Sequence, residues 1–386
     1  MRNMNVKGYR DWLNKTDFLY KRFDLLASQL TKYLLDYQLT SPDFTQEVVS
    51  KFEAVLTSCD KIDYQENSTA TAYGILHFLP RFHRFQLTFG KLIDKSILPL
   101  SPRPINVLDV GTGSGPSLFA LSDIYLSLQL FGEESGSNFF QNQTYEPDYV
   151  ERSSGFRNWL HHFTEVANLE LPNDSAGWTV PYHYGNFEDF NDIKFETKRF
   201  YERYNRYGKI VSITKTIKHR FNIVVFSNFL TQISQVNSLK EELQYCMRFM
   251  RNNGKLIISG GTGVINSDKD YPRLYERARE ILLEKVYSNY RLRAEARYIK
   301  VRRNKLSFGY KNRFGERIKD LNKLIIERFT DHGAIDYIPE KTRNIFMKSV
   351  EADYDRPISW EFHVFEKSAR LKEGYKSWNS HFERLR

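Results

Sequence analysis

The sequence contains little cysteine, proline and glycine, and each shortage excludes a class of protein. Its 386 residues include two cysteines, Cys59 and Cys246. Two are too few for a disulfide framework or a cysteine-rich zinc site, so we expect a reducing compartment. The 12 prolines and 20 glycines exclude a collagen-like or low-complexity chain. No apolar run approaches the roughly 18 residues that a membrane helix needs.

The first residues do not resemble a targeting segment. Residues 1–22 mix basic residues with Asp11 and Asp17, and they lack the apolar core of a signal peptide. A mitochondrial transit peptide usually avoids acidic residues. We therefore expect a soluble cytoplasmic protein without membrane contact, and a mitochondrial location is the alternative.

Aromatic residues, in contrast, are abundant. They make up 15% of the chain, with 24 Tyr and 29 Phe, and this content excludes a wholly disordered protein. At roughly 100–200 residues per domain, the length predicts two or three domains. We expect a helical N-terminal region over residues 1–100, a core over 101–270, and a basic helical insertion with the closing strands of the core over 271–386.

The spacing of apolar residues predicts the fold class. Helical spacing occurs near the N-terminus, at Phe18, Leu19, Phe23, Leu26, Leu30 and Leu34. Residues 69–93 predict a further helix, which we expect Pro80 to break or kink. Short apolar runs then alternate with amphipathic segments, which predicts a mostly parallel α/β sheet. Residues 358–365 alternate between apolar and polar, which is typical of an antiparallel or edge strand.

The formal net charge of +10 is concentrated in two blocks. Residues 285–323 contain 13 Lys and Arg against three acids, and residues 194–220 contain nine against two, so the rest of the chain is acidic. Both blocks also carry aromatic residues. Basic side chains neutralise phosphates and aromatic faces stack on unpaired bases, so one interpretation is a polyanion partner, RNA first among them. The other is a solvated helical face whose aromatic residues turn into the core.

One motif indicates chemistry. The apolar run 105–110 carries Asp109 as its penultimate residue and is followed by Gly111, Gly113 and Gly115 at every second position. In open α/β sheets, ligands bind at such strand-to-helix turns. The spacing matches neither the dinucleotide fingerprint nor the phosphate-binding loop that ends in Gly-Lys-Ser/Thr.

With this motif the sequence resembles the class I, Rossmann-like S-adenosylmethionine-dependent methyltransferases, whose first motif is a strand followed by acid-x-G-x-G-x-G. The resemblance implies S-adenosylmethionine as cofactor and a Rossmann-like, mostly parallel sheet with an antiparallel edge strand near the C-terminus. It also implies that the loop packs on the cofactor, with Asp109 helping to hold the methionine ammonium. The cofactor-binding positions in this motif are Asp109, Gly111, Thr112, Gly113 and Gly115.

The same resemblance implies later site residues. Glu151 stands where an acid at the end of the second strand accepts the ribose hydroxyls, although its distance from Asp109 requires an insertion near residues 131–148. Asn186 and Phe187 stand near the adenine position, after the third strand. Ser227 and Asn228 follow the fourth strand and line the methyl-transfer pocket. The expected cofactor-binding residues here are Glu151, Asn186, Phe187 and Ser227, and the catalytic candidates are Asn228 and Tyr184, with His183 beside them.

The expected acceptor is rRNA or tRNA, alone or in a ribonucleoprotein. The expected RNA-binding residues are Arg291, Arg293, Arg297, Lys300, Arg302, Arg303 and Lys305. Residues 72–83, 261–262 and 275–283 also resemble the ribosome-associated (Rsm22-type) methyltransferase family. That family often carries a cysteine-rich metal cluster, which the two distant cysteines exclude here. No metal site is expected, since His161 and His162 are adjacent and cannot share one helix face. A non-catalytic RNA-binding factor, or a methyltransferase of proteins or small molecules, remains an alternative.

Overall fold

The computed structural model describes residues 6–58, 62–100, 104–136, 145–169, 171–172, 175–180, 186–187, 189–193, 197–204, 210–217, 221–283, 286–287, 292–299, 304–307, 312–351 and 357–371. The chain forms two compact units. The first contains Met1–Pro104, Gly111–Glu188 and Arg303–Trp360, and the second contains Ile105–Val110, Asp189–Arg302 and Glu361–Arg386. No helix among the described residues is long and apolar enough to cross a membrane.

The N-terminal region is helical, as predicted. Its helices are α1 (Val6–Thr16), α2 (Phe18–Lys32), α3 (Pro42–Ser50), α4 (Phe52–Ser58) and α5 (Asn67–Asp94). A π-helical turn at Tyr33–Gln38 continues α2.

Strands and helices then alternate along the chain. In order they are β1 (Ile105–Val110), α6 (Pro116–Glu134), β2 (Tyr145–Val150), α7 (Ser154–Leu169), β3 (Asn186–Phe187), β4 (Thr197–Tyr204), β5 (Ile210–Ile217), β6 (Ile223–Ser227), α8 (Ile233–Ser238), α9 (Lys240–Phe249) and β7 (Lys255–Gly260). They are followed by α10 (Tyr271–Leu283), β8 (Val286–Tyr287), β9 (Leu292–Ile299), β10 (Asn304–Ser307), α11 (Arg313–Asp331), α12 (Glu340–Lys348) and β11 (Pro357–Leu371). Short 3-10 turns lie at Phe190–Asp192 and Ile335–Tyr337.

The first unit is organised around α5. This helix packs against α6 and α7, and most of its residues are buried. Pro80 lies inside α5, which continues through it, so the break that the sequence allowed does not occur. The missing hydrogen bond of a proline costs roughly 3 kcal/mol in a helix, but here the neighbouring Phe78, Leu79 and Phe82 are all buried and hold the helix on both sides of Pro80.

A buried ion pair connects other helices of the first unit. The Arg22 guanidinium on α2 donates to the Asp123 carboxylate on α6 at 2.7 Å, and to the Ala176 carbonyl oxygen at 2.6 Å. The guanidinium also lies 4.1 Å from the centre of the Trp178 ring. Gln86 of α5 donates to the same carboxylate at 3.4 Å. Burial raises the pKa of Asp123 above its ordinary value, and Arg22 opposes that rise.

The second unit contains the predicted mostly parallel sheet. β1 pairs with β6 and β6 with β7, all in parallel, and every residue of these strands is buried. Strands buried on both faces are expected in a parallel sheet covered by helices. The predicted antiparallel strand near the C-terminus is β11, which pairs with β7 on one side and β9 on the other. The order β1-β6-β7-β11-β9-β8, antiparallel at its end, confirms the Rossmann-like fold class.

The two basic blocks have more strand structure than expected. In the first block, β4 and β5 form an antiparallel hairpin. The second block was expected to belong to a helical insertion, but its first part contains β8, β9 and β10, and α11 starts only at Arg313. Backbone pairing of β9 and β10 with β11 overrides the helical expectation there.

Candidate functional site

The glycine loop between β1 and α6 has the backbone conformation that its sequence predicts. The φ angles of Gly111, Gly113 and Gly115 are +66°, +57° and +81°. Residues with a Cβ rarely adopt this left-handed region. At Gly115 an added Cβ would also lie 2.6 Å from the Leu160 side chain of α7, whereas at Gly113 the nearest atoms belong to Phe156 and are 3.9 Å away. A Cβ therefore has room at Gly113, in ordinary contact with Phe156, but has none at Gly115.

Hydrogen bonds within the first unit fix this loop. The N–H groups of Gly111 and Thr112 donate to the Val150 carbonyl oxygen at the end of β2, at 2.8 and 3.3 Å. The Gly115 N–H donates to the Thr112 carbonyl oxygen at 3.0 Å. Ser114 is fully buried, and its hydroxyl oxygen has no hydrogen-bond partner among the described residues. A buried polar atom of this kind is a place where a ligand or water group can bind.

Glu151 follows β2 directly, as the sequence predicts, and it lies against the loop. Its carboxylate accepts a hydrogen bond from the Gly113 N–H at 2.7 Å and another from the Ser153 N–H at 2.9 Å. The residue is only 7% exposed. Burial raises the pKa of the Glu151 carboxyl above its ordinary value, and these hydrogen bonds oppose the rise. A carboxylate has about four acceptor positions, so it keeps capacity for hydroxyl donors of a ligand.

Asp109 and Ser227 lie together in the second unit. Asp109, on β1, is fully buried. The Ser227 hydroxyl at the end of β6 donates to both oxygens of its carboxylate, at 3.0 and 3.3 Å. The two hydrogen bonds from Ser227 fix the orientation of the Asp109 carboxyl group. This acidic group can therefore pair with an ammonium group of a ligand.

The turn after β6 contains the catalytic candidate Asn228. Its φ angle is +53°, a left-handed conformation that asparagine tolerates better than most residues. The Asn228 N–H donates to the Ser259 carbonyl oxygen of β7 at 2.8 Å, so the turn is tied to the neighbouring strand. An amide side chain can orient an acceptor by hydrogen bonds but has no proton to exchange near neutral pH.

Other predicted site residues are only partly described. Tyr184 and His183 lie outside the described residues. Asn186 and Phe187 form β3 itself, which pairs in parallel with Tyr149 and Val150 of β2, whereas the sequence predicts that they follow a strand. Three of the expected RNA-binding residues lie in strands: Arg293 and Arg297 in β9, and Lys305 in β10. The other four, Arg291, Lys300, Arg302 and Arg303, are not among the described residues.

Aromatic residues beside the loop were not predicted from the sequence. The Phe156 ring on α7 is the nearest group to the open space at Gly113. It stacks on Tyr64, which precedes α5, with ring centres 4.4 Å apart. No motif in the sequence marks Phe156, and nothing in the sequence connects it with Tyr64.

These residues fit S-adenosylmethionine, the cofactor that the fold family implies. In the first unit a Cβ at Gly113 would approach Phe156 to 3.9 Å, the Ser114 hydroxyl is without a partner among the described residues, and the Glu151 carboxylate is buried. In the second unit the Asp109 carboxylate is buried. Those carboxylates suit ribose hydroxyls and an ammonium group, respectively. Within the described part of the chain, no three His, Cys, Asp or Glu residues are placed to hold a metal ion.

Comparisons with known proteins give likenesses among solved structures. No protein-family model and no curated protein matches the sequence. One similar chain is phosphoethanolamine N-methyltransferase 2 of Haemonchus contortus with bound S-adenosylhomocysteine: identity 12%, TM-score 0.35, covering 82% of this chain and 66% of that one. The same enzyme with S-adenosyl-L-methionine has an identity of 13% and a TM-score of 0.34, and the alignment covers 80% of this chain and 61% of that one. Coclaurine N-methyltransferase has an identity of 9% and a TM-score of 0.33, and the alignment covers 94% of this chain and 100% of that one.

The alignments thus span less than two-thirds of the two Haemonchus contortus chains. With TM-scores of this size, the fold assignment depends on the strand order of this chain and not on these likenesses.

Proposed function

We propose that this chain is an S-adenosylmethionine-dependent methyltransferase. The observation that carries the proposal is the glycine loop, whose Gly113 N–H is bound by the buried Glu151 carboxylate and which has room for a further atom at Gly113 beside Phe156. A loop serving only to join a strand to a helix needs neither a buried carboxylate on its N–H nor a vacant Cβ position. The parallel strand order supports the proposal, since ligands bind at the carboxyl ends of such strands.

The residues have distinct roles in this proposal. Glu151 takes the ribose hydroxyls, the glycine loop lets the backbone approach the cofactor closely, and Asp109 takes the methionine ammonium, held in orientation by Ser227. When bound, S-adenosylmethionine supplies a methyl group already activated by its sulfonium. The protein therefore mainly has to position the acceptor and exclude water. Asn228 is proposed to orient the acceptor.

For the acceptor we propose RNA. The two basic blocks support this, because their Lys and Arg residues can neutralise phosphates.

Methyl transfer tests the enzyme proposal. Purified chain is incubated with tritiated S-adenosylmethionine and either total RNA or total protein from cells that lack this gene. The proposal expects label in RNA, and expects that Asp109→Ala abolishes it without unfolding the chain. Label in protein or small molecules instead would refute the RNA acceptor but keep the enzyme. No transfer, with no thermal stabilisation by S-adenosylmethionine, would favour a non-catalytic factor.

Salt dependence tests the RNA proposal separately. The affinity for a single-stranded RNA is measured at several salt concentrations, because each phosphate contact adds about 0.7 to the slope of log affinity against log salt. Arg199→Glu with Lys215→Glu should reduce this slope while the affinity for S-adenosylhomocysteine stays unchanged. A slope near zero in the wild-type chain would refute an RNA partner.

A further inference from the structure

A short segment before α5 is fastened onto the start of α7 in the first unit. We call residues 62–67 the strap. The Ser154 hydroxyl donates to the Gln65 carbonyl oxygen at 3.0 Å and to its side-chain oxygen at 2.7 Å, and the Ser154 N–H donates to the same side-chain oxygen at 3.0 Å. Asn158 of α7 adds a hydrogen bond to Asn67 at 3.3 Å. Hydrogen bonds of both backbone and side-chain groups therefore hold the strap against the start of α7.

The strap approaches α7 as closely as a backbone can. A Cβ on Gly155 would lie 2.4 Å from the Tyr64 carbonyl oxygen and 2.5 Å from that of Glu66. Only glycine allows this approach, since the colliding atoms are backbone atoms that cannot rotate away. Glu66 is held from another side by an ion pair with Lys51 at 2.6 Å. Several independent contacts thus fix the position of Tyr64 against α7.

Tyr64 in turn fixes one aromatic ring beside the glycine loop. Its ring stacks on Phe156 at 4.4 Å and 23°, and Tyr73 of α5 packs edge-on against both rings, at 5.4 and 5.1 Å. Phe156 is the residue nearest to the open space at Gly113, and the Gly113 N–H is bound to Glu151. The ring therefore borders the part of the loop that the Glu151 carboxylate also borders.

We propose that Tyr64 is a positioning residue for the nucleoside end of the cofactor, acting through Phe156. The inference rests on the proposed function, because it takes Glu151 as the ribose acceptor. An aromatic face next to the ribose acceptor is placed to contact the adenine, and its orientation is set by the stack with Tyr64. The helical N-terminal region then forms part of the cofactor site and is not only a support for RNA.

Two ligands distinguish this role from simple packing. S-adenosylhomocysteine carries both the nucleoside and the amino-acid end, whereas 5′-methylthioadenosine lacks the amino-acid end. Calorimetry with the full chain should show that Tyr64→Ala weakens both ligands by the same factor, about 3- to 10-fold, the range expected from an aromatic pair. Asp109→Asn, at the opposite end, should weaken S-adenosylhomocysteine alone.

Rescue and coupling complete the test. Tyr64→Phe keeps the ring and should restore wild-type affinity, and Tyr64→Ala should add nothing in a Phe156→Ala background. Phe52→Ala is the matched control, since Phe52 is also a buried aromatic residue but packs on Phe329 and Phe346. This variant should lower stability without changing either affinity.

The outcomes separate the two claims. If Tyr64→Ala lowers stability as Phe52→Ala does but leaves both affinities unchanged, the positioning role is refuted and the proposed function stands. If the wild-type chain binds neither ligand, the proposed function fails and this inference fails with it.

Discussion

Gly113 and Gly115 occupy one loop and share a left-handed φ, yet alanine should act differently at each. Alanine in this conformation costs roughly 1–2 kcal/mol at either position. At Gly115 the new Cβ also meets Leu160 at 2.6 Å, and overpacking of this kind costs about 1–3 kcal/mol more. At Gly113 the nearest atom is 3.9 Å away, so only the backbone cost remains. Gly115→Ala should therefore destabilise the first unit by roughly twice as much as Gly113→Ala.

Cofactor affinity should follow the opposite order. The methyl group of Gly113→Ala enters the open space beside the loop, so the affinity for S-adenosylhomocysteine should fall at least about tenfold, which is about 1.4 kcal/mol. Gly115→Ala points toward Leu160 and should weaken binding much less. Urea unfolding and calorimetry on the same preparations measure both effects.

A double variant isolates the steric part of the first effect. In a Leu160→Ala background the colliding atom is absent, so Gly115→Ala should cost only the backbone part. If Gly113→Ala bound S-adenosylhomocysteine as tightly as the wild-type chain, the space beside Gly113 would not belong to the cofactor.

Three further predictions concern buried polar groups. Ser227→Ala removes the donor to Asp109, so the affinity for S-adenosylhomocysteine should fall about tenfold while the affinity for 5′-methylthioadenosine stays unchanged. Ser227→Thr should restore the affinity for S-adenosylhomocysteine. An equal loss of affinity for both ligands would contradict the role of Asp109. Because burial raises the pKa of the Glu151 carboxyl, the folded chain binds its proton more tightly than the unfolded chain, and the free energy of unfolding falls as the pH rises through this titration. Glu151→Gln removes the titrating group, so urea unfolding should show a smaller fall in stability between acidic and neutral pH. Arg22→Leu leaves the Asp123 carboxylate buried without its cation and should destabilise by about 3–5 kcal/mol in the same assay, whereas the double change of both residues to Leu should cost less.

Local features of the chain were predictable from its sequence. The glycines of the loop stand at every second position of one short motif, and each indicates a left-handed backbone conformation at its own position. The apolar period of α2 and the runs of β1, β6 and β7 likewise depend on neighbours within a few residues. Glu151 was found at the end of β2 because the resemblance specified an acid at the end of a strand, not a distance along the chain.

Features set by packing were not predictable. Pro80 stays inside α5 because buried neighbours hold the helix, which a local proline rule does not consider. The strands of the second basic block form by pairing with β11, far along the chain. The stack of Tyr64 on Phe156 joins a residue before α5 to one on α7, and no spacing pattern connects them.

Calorimetric titration of the full chain with S-adenosylhomocysteine tests the central claim most directly. The loop geometry and the buried carboxylates predict saturable heat with one molecule bound per chain, and loss of that heat in Gly113→Val. No saturable heat from the folded wild-type chain at millimolar ligand would contradict the claim that this loop binds the cofactor.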